Sequence, residues 1–188
     1  MSENISAYHK KLVETVLLYS DADEWTAAAD EWSIVAVRED DDQSSSCVCG
    51  KENLRYLFTI KNTVNGNILY PIGSSCIKKF GRSDLDEEVT VKEQLFRLLH
   101  AVEKGNRLEL SAKFFSQKLL RYLYDAGAFK PTAYNGYMPF LDYSFMLDMF
   151  NKKSRTALQE KKAIAIILNS IKPFLQKHLN ELAEESSS

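Results

Sequence analysis

Apolar residues recur at three- and four-residue steps over Ile5–Tyr19, where Ile5, Tyr8, Leu12 and Val16 predict one face of an amphipathic helix. Asp21-Ala-Asp-Glu24 interrupts the pattern, and Trp25–Trp32 reads as a short second helix. Ile34–Arg38 is a strand candidate, followed by the polar loop Asp40-Asp-Asp-Gln-Ser-Ser-Ser46. Period-two alternation then takes over. Leu54, Tyr56, Phe58 and Ile60 point one way, and Arg55, Thr59 and Lys61 the other. Asn65-Gly66 is a strong hairpin signal, and Ile68–Pro71 reads as the returning strand. Gly73-Ser74-Ser75 supplies a turn and a cap for a short helix to about Phe80.

The rest of the chain carries a helical pattern. Thr90-Val-Lys-Glu93 has the form of a capping box opening a helix to Gly105. Ser111 is placed to cap a helix that buries Phe115, Leu119, Tyr122 and Leu123 and stops near Gly127. Residues 129–141 read as a loop rich in Pro, Gly and Tyr, and Asp142 as the start of a short helix to Asn151. Thr156-Ala-Leu-Gln159 is a second capping box, opening a long helix that Pro173 must kink or interrupt. The tail from Glu184 reads as frayed. The expectation is an α+β protein in three segments: an N-terminal helical segment (1–32), a hairpin unit (33–82) and a helical region (83–188).

Composition adds little until the cysteines are counted. There are three, an odd number that suits no closed disulfide framework, and Cys47 and Cys49 are too close in sequence to bond well to each other. No apolar run is long enough for a signal peptide or a membrane span, so a soluble, cytoplasmic protein in a reducing compartment is expected. Charge is uneven. Residues 1–46 hold three basic and eleven acidic side chains, whereas residues 47–82 hold six basic ones and only Glu52 on the acidic side. The acidic N-terminal segment either folds against this basic island or leaves it facing solvent.

The island coincides with the cysteines. Cys47-Val-Cys49-Gly50 forms a knuckle whose backbone amides can stabilise sulfur charge, and the hairpin returns the chain to Cys76 in the first turn of a helix. The positive end of that helix would favour a Cys76 thiolate. Zinc suits such a soft, closed ligand set, with Cys47, Cys49 and Cys76 as metal ligands. The order of knuckle, hairpin and helix-borne cysteine resembles a treble-clef zinc finger. More narrowly, Cys-Val-Cys-Gly, Phe58-Thr-Ile-Lys-Asn62, Asn65-Gly66 and Ile72-Gly-Ser-Ser-Cys-Ile77-Lys-Lys-Phe80 resemble a motif of small proteins of bacteria, their phages and mobile elements. That resemblance spans about residues 32–80 and implies a setting rather than an activity. A treble clef has four ligands and a knuckle one residue longer. The fourth ligand here would come from His9, His100, an acidic residue such as Asp41 or Asp42, or water.

Catalytic motifs are absent from the sequence: no phosphate-binding glycine loop, dinucleotide fingerprint, nucleophile elbow or paired-histidine helix. Cys76 as a nucleophile would lack a general base. A non-enzymatic binding protein with a structural zinc finger is therefore expected. Nucleic acid is the first candidate partner, through Lys51, Arg55, Lys61, Lys78, Lys79 and Arg82, which would contact phosphates without reading sequence. The alternative, drawn from the family setting, is a phage or mobile-element protein that binds and inhibits a host protein such as a defence nuclease. Tyr134, Tyr137, Met138, Phe140 and Tyr143 either fold into the core, the preferred reading, or dock a partner.

Overall fold

Each element can be traced to a local cause in the computed structural model, which describes residues 6–186. Helix α1 (Ala7–Leu18) starts where the Ser6 hydroxyl accepts the His9 N–H at 3.2 Å. Leu12 and Val16 are fully buried as the period demands, Tyr8 is exposed, and Ile5 lies outside the described residues. After α2 (Trp25–Asp30) come β1 (Trp32–Glu39), β2 (Tyr56–Asn62) and β3 (Ile68–Ile72), an antiparallel sheet in the order β1-β2-β3. The register shifts at Ile34/Ala36 in one pair and at Phe58/Ile60 in the other. Pro71 lies in the second irregularity, where a residue with no N–H costs the ladder least.

The chain divides into two compact units, one ending at Lys92 and the other beginning at Glu93, with the boundary inside α4 (Ser83–Glu103). In the first unit, Leu12, Val16, Trp32, Phe58, Ile60, Ile72 and Ile77 form one core with Leu85 and Val89 of α4. Helix α4 begins seven residues earlier than the Thr90 capping box suggested. Thr90 sits inside the helix and its hydroxyl donates to the Asp86 carbonyl at 2.8 Å, the back-bond of an interior threonine. The buried Leu85–Val89 step continues the apolar face through that point, which decides against a boundary there.

In the second unit, α5 (Gln117–Asp125) is capped by Ser116 rather than Ser111; its hydroxyl accepts the Leu119 N–H at 3.0 Å. Ser111 instead accepts the Phe114 and Phe115 amides through its carbonyl in the preceding turn. Helix α6 (Pro139–Asn151) opens at Pro139, three residues before Asp142, because proline at the first helical position loses no hydrogen bond. The Thr156 capping box forms as expected and starts α7 (Ala157–Ile166). Ahead of Pro173 the helix widens into a π turn over Ile167–Ile171 and resumes as α8 (Lys172–Ser186). A proline interrupts the ordinary i→i−4 ladder, and a π turn is one way for the helix to continue past it.

A polar network closes the first unit opposite the knuckle. Asn62 is fully buried at the end of β2. Its carbonyl oxygen accepts the Val64 and Asn65 amides at 2.8 and 3.1 Å, and its amide donates to Glu31 Oε2 at 2.5 Å. The Glu31 carboxylate also accepts the Asp21 and Ala22 amides, at 2.9 and 2.7 Å. Asn65-Gly66 thus belongs to a five-residue loop held by side chains, longer than the two-residue turn its dipeptide can form. The bond from Asn62, reinforced by the two backbone amides, holds the Glu31 pKa below the usual glutamate value. Asn62→Ala should cost about 2 kcal/mol, since it strands two loop amides and removes one of the two donors to Glu31 Oε2. A lowered pKa means that the Glu31 contribution is full above the unfolded-state value and fades as pH falls through the folded-state value. Denaturant titrations should therefore show the Glu31→Gln deficit shrinking in acid.

Candidate metal centre

The knuckle is a closed backbone ring. The Gly50 N–H donates to the Cys47 carbonyl at 2.7 Å, and the Cys47 N–H to the Lys51 carbonyl at 2.8 Å. Gly50 closes it at φ 92°, a left-handed conformation that suits glycine. Two further bonds fix its position. Val48 N–H donates to the Pro71 carbonyl of β3 at 2.9 Å, and Leu54 N–H to the Ser45 carbonyl at 3.0 Å. The loop leading in is gathered by Asp40, whose Oδ2 accepts from the amides and hydroxyls of Ser44 and Ser45. Those bonds, the Ser45 hydroxyl foremost, lower the Asp40 pKa.

On the other side, β3 ends at Ile72 and Gly73 caps α3 (Ser74–Ile77), which carries Cys76. A side chain at Gly73 would put its Cβ 3.0 Å from Leu54 Cδ2, so a larger residue there would have to displace the Leu54 side chain by a few tenths of an ångström. The Gly73 N–H donates to Cys47 Sγ at 3.3 Å. The outcome is a cluster of three buried free thiols, with Cys76 Sγ 3.6 Å from Cys47 Sγ and 3.3 Å from Cys49 Sγ. These distances exceed a disulfide bond and match sulfurs arranged around a common centre.

The charge within the cluster falls on a different sulfur from the one expected. The Cys47 thiol is lowered to about 5, chiefly by the hydrogen bond from Cys76 and further by the Cys49 and Gly73 amides. Cys76 moves the other way. It is pushed up because its proton is held by Cys47, because it is buried, and because the neighbouring sulfur charge opposes a second one. The expectation that the start of α3 makes Cys76 the thiolate is therefore corrected: four residues of helix offer less than one shared proton and an amide aimed at Cys47.

Among the described residues no histidine nitrogen or carboxylate oxygen joins these three sulfurs within 4.8 Å of them all. His9 packs its ring edge-on to Trp25 at 6.2 Å, Asp41 and Asp42 stay exposed beyond β1, and His100 belongs to the second unit. Three protein ligands are thus in place, and such a set could hold a metal ion.

The basic residues divide into two groups. Lys51, Lys61, Lys78 and Lys79 are exposed. Arg55 is exposed too, but its Nε bonds Glu39 Oε1 at 2.8 Å and its guanidinium lies 5.7 Å from the Tyr56 ring centroid. Arg82 is committed inward. Its Nη1 donates to the carbonyls of Ala29 and Trp32 at 3.2 and 2.5 Å, while Nε and Nη2 hold Asp84. Lys11 of α1 is a cation that sequence reading left with the N-terminal helix, yet its Nζ lies 3.5 Å from where a Gly50 side chain would begin. Phe58 and Phe80 are buried and Tyr56 half-buried, so none of the three is a free stacking platform.

The aromatic segment departs from the preferred reading. Tyr134 is fully exposed, and Tyr137, Met138 and Phe140 are more than half exposed; only Tyr143 is buried. The backbone there is spent on a single turn (Ala133–Asn135) and the start of α6, which leaves those side chains outside. Among the described residues no helix is long and apolar enough to cross a membrane. No protein-family model, curated protein or solved structure matches this chain.

Because the Cys47 thiol is lowered while Cys76 is raised, metal-free protein should gain one thiolate as pH rises through about 5, read by its ultraviolet absorbance. Cys76→Ala removes the donated proton and should move that step upward; an unmoved step would show that Cys76 does not set it.

Proposed function

We propose that the chain is a non-enzymatic binding protein in which Cys47, Cys49 and Cys76 hold one structural zinc ion. The observation that carries this is the all-sulfur cluster, buried at the junction of knuckle, β3 and α3. Zinc favours thiolate, needs no redox partner, and neutralises charges that would otherwise repel one another. Water or a group from another molecule would complete its coordination. The ion would take the place of the shared proton and tie together two segments that are distant in sequence, the knuckle and α3, so its binding energy is folding energy.

The exposed Lys51, Lys61, Lys78 and Lys79, with Lys11 beside the knuckle, support contact with the phosphates of a nucleic acid. Arg55 and Arg82 are better assigned to holding the sheet and α2 in place. The second reading is a phage or mobile-element protein that binds and inhibits a host protein such as a defence nuclease. It is favoured by the exposed Tyr137, Met138, Phe140 and Leu141, since an apolar surface of this kind suits a protein partner better than a phosphate backbone.

Elemental analysis of the purified protein should find close to one zinc per chain. Cys49→Ser should release it and lower the melting temperature; metal-free protein with unchanged stability in that variant would end the zinc reading. For nucleic acid, about four lysine contacts predict that log affinity falls against log salt with a slope of roughly −3 to −4. Changing Lys61 and Lys78 together to Gln should flatten that slope by about half. If the intact protein retards neither RNA nor DNA at low salt, the protein-binding reading takes first place.

A further inference from the structure

The second unit holds a cavity of about 660 Å³ that shares no residue with the cysteine cluster. It lies between the Ala133–Asn135 turn, the start of α6, and the face of α7 that runs into the π turn. Its volume is in the range of small-molecule sites. Ile166 and Ala165 supply an apolar wall, and Tyr134 stands fully exposed at its edge.

The polar groups on this wall are few and fixed. Asp142 is 7% exposed and sits in the first turn of α6. Its Oδ2 accepts from Asn135 Nδ2 at 2.8 Å, and among the described residues none donates to Oδ1. Asn135 is itself held in place: its amide also donates to the Lys130 carbonyl, and its carbonyl oxygen accepts the Thr132 N–H, both at 2.8 Å. This carboxylate is therefore positioned rather than loose. Ser170, 3% exposed, and Asn169 are brought to the cavity by the π turn. Lys162 lines the same cavity with its ammonium 4.3 Å from the Phe145 ring centroid, and it forms no ion pair with Asp142.

A nearly buried carboxylate with one oxygen free, and a cation on the same wall that does not neutralise it, give the cavity a negative and a positive pole. The same cavity is lined by the apolar Ala165 and Ile166, with the exposed Tyr134 ring at its rim. We propose that this cavity binds a small zwitterion with an aromatic body, of about amino-acid size, its ammonium on Asp142 and its anionic group on Lys162. The ring would lie along Ile166 and Tyr134. Asn169 and Ser170 would donate to or accept from the ligand's remaining polar atoms. A π turn in a helix wall accords with this, because such turns recur at functional sites.

The test is an NMR titration of the full chain with free L-tryptophan, tryptamine and indole-3-propionate, following the Asn169 and Ser170 amides. Tryptophan should give saturable shifts there. Tryptamine, which lacks the anion, and indole-3-propionate, which lacks the cation, should each bind at least about tenfold more weakly, the loss of one charged hydrogen bond. Lys162→Gln is an exposed change that should leave the fold intact, weaken tryptophan about tenfold and leave tryptamine unaffected. Asp142→Asn should weaken tryptophan and tryptamine alike. Equal shifts from all three compounds, or no saturable shift with tryptophan, would overturn the proposal, as would an unchanged tryptophan affinity in Lys162→Gln.

Discussion

Three buried sulfurs at one point set a charge problem that the first unit is built around. A single negative charge is comfortable there, because a neighbouring thiol and two backbone amides donate to Cys47. A second charge is opposed by the first and by burial, as the upward shift of Cys76 shows. A proton or a cation must therefore remain between the sulfurs. The geometry that enforces this is the backbone's own: the ring closed by Gly50, the Val48–Pro71 bond and the close approach of Gly73 to Leu54.

The opposite end of the same sheet is held by different means. There the Glu31 carboxylate and the Asn62 amide bind loop amides that would otherwise be stranded, and Asn65 and Asn67 donate to the Tyr19 carbonyl at the end of α1. Arg82 does the same for the carbonyls around the end of α2. The hydrophobic core between these ends is small, with Trp32, Phe58, Ile60 and Ile72 at its centre. In a unit of this size, polar stitching and sulfur chemistry share the work of specifying one arrangement.

The α+β class, the hairpin and the convergence of the three cysteines were legible because each rests on short-range pattern. Alternation places β2, Asn65-Gly66 places the loop, and the hairpin then carries Cys76 back to the knuckle. The failures come from tertiary choice. Thr90-Val-Lys-Glu93 and Thr156-Ala-Leu-Gln159 have the same form, yet only the second is a cap, because Leu85 and Val89 carry the apolar face across the first. The sulfur that holds the charge could not be read from sequence, since it depends on which thiol, and then which amides, donate to which sulfur. The exposure of Tyr134 and Tyr137 is equally illegible, because composition does not distinguish aromatic residues that close a core from those left outside one. Arg55 and Arg82 looked like their lysine neighbours, and only their carboxylate and carbonyl partners set them apart.

The chain has two tryptophans, and both belong to the first unit. Trp32 is buried with its indole N–H on the Ser20 hydroxyl at 2.9 Å. Trp25 packs edge-on against Phe80, at the end of the turn that follows the Cys76 helix, with ring centroids 5.3 Å apart. Tryptophan fluorescence is thus a private signal of the cysteine-bearing half. The other half, rich in tyrosine and lacking any indole, adds nothing to that signal when excitation is set beyond tyrosine absorption. Loosening the sulfur cluster would reach Trp25 through Phe80, so the molecule carries its own optical gauge of that centre.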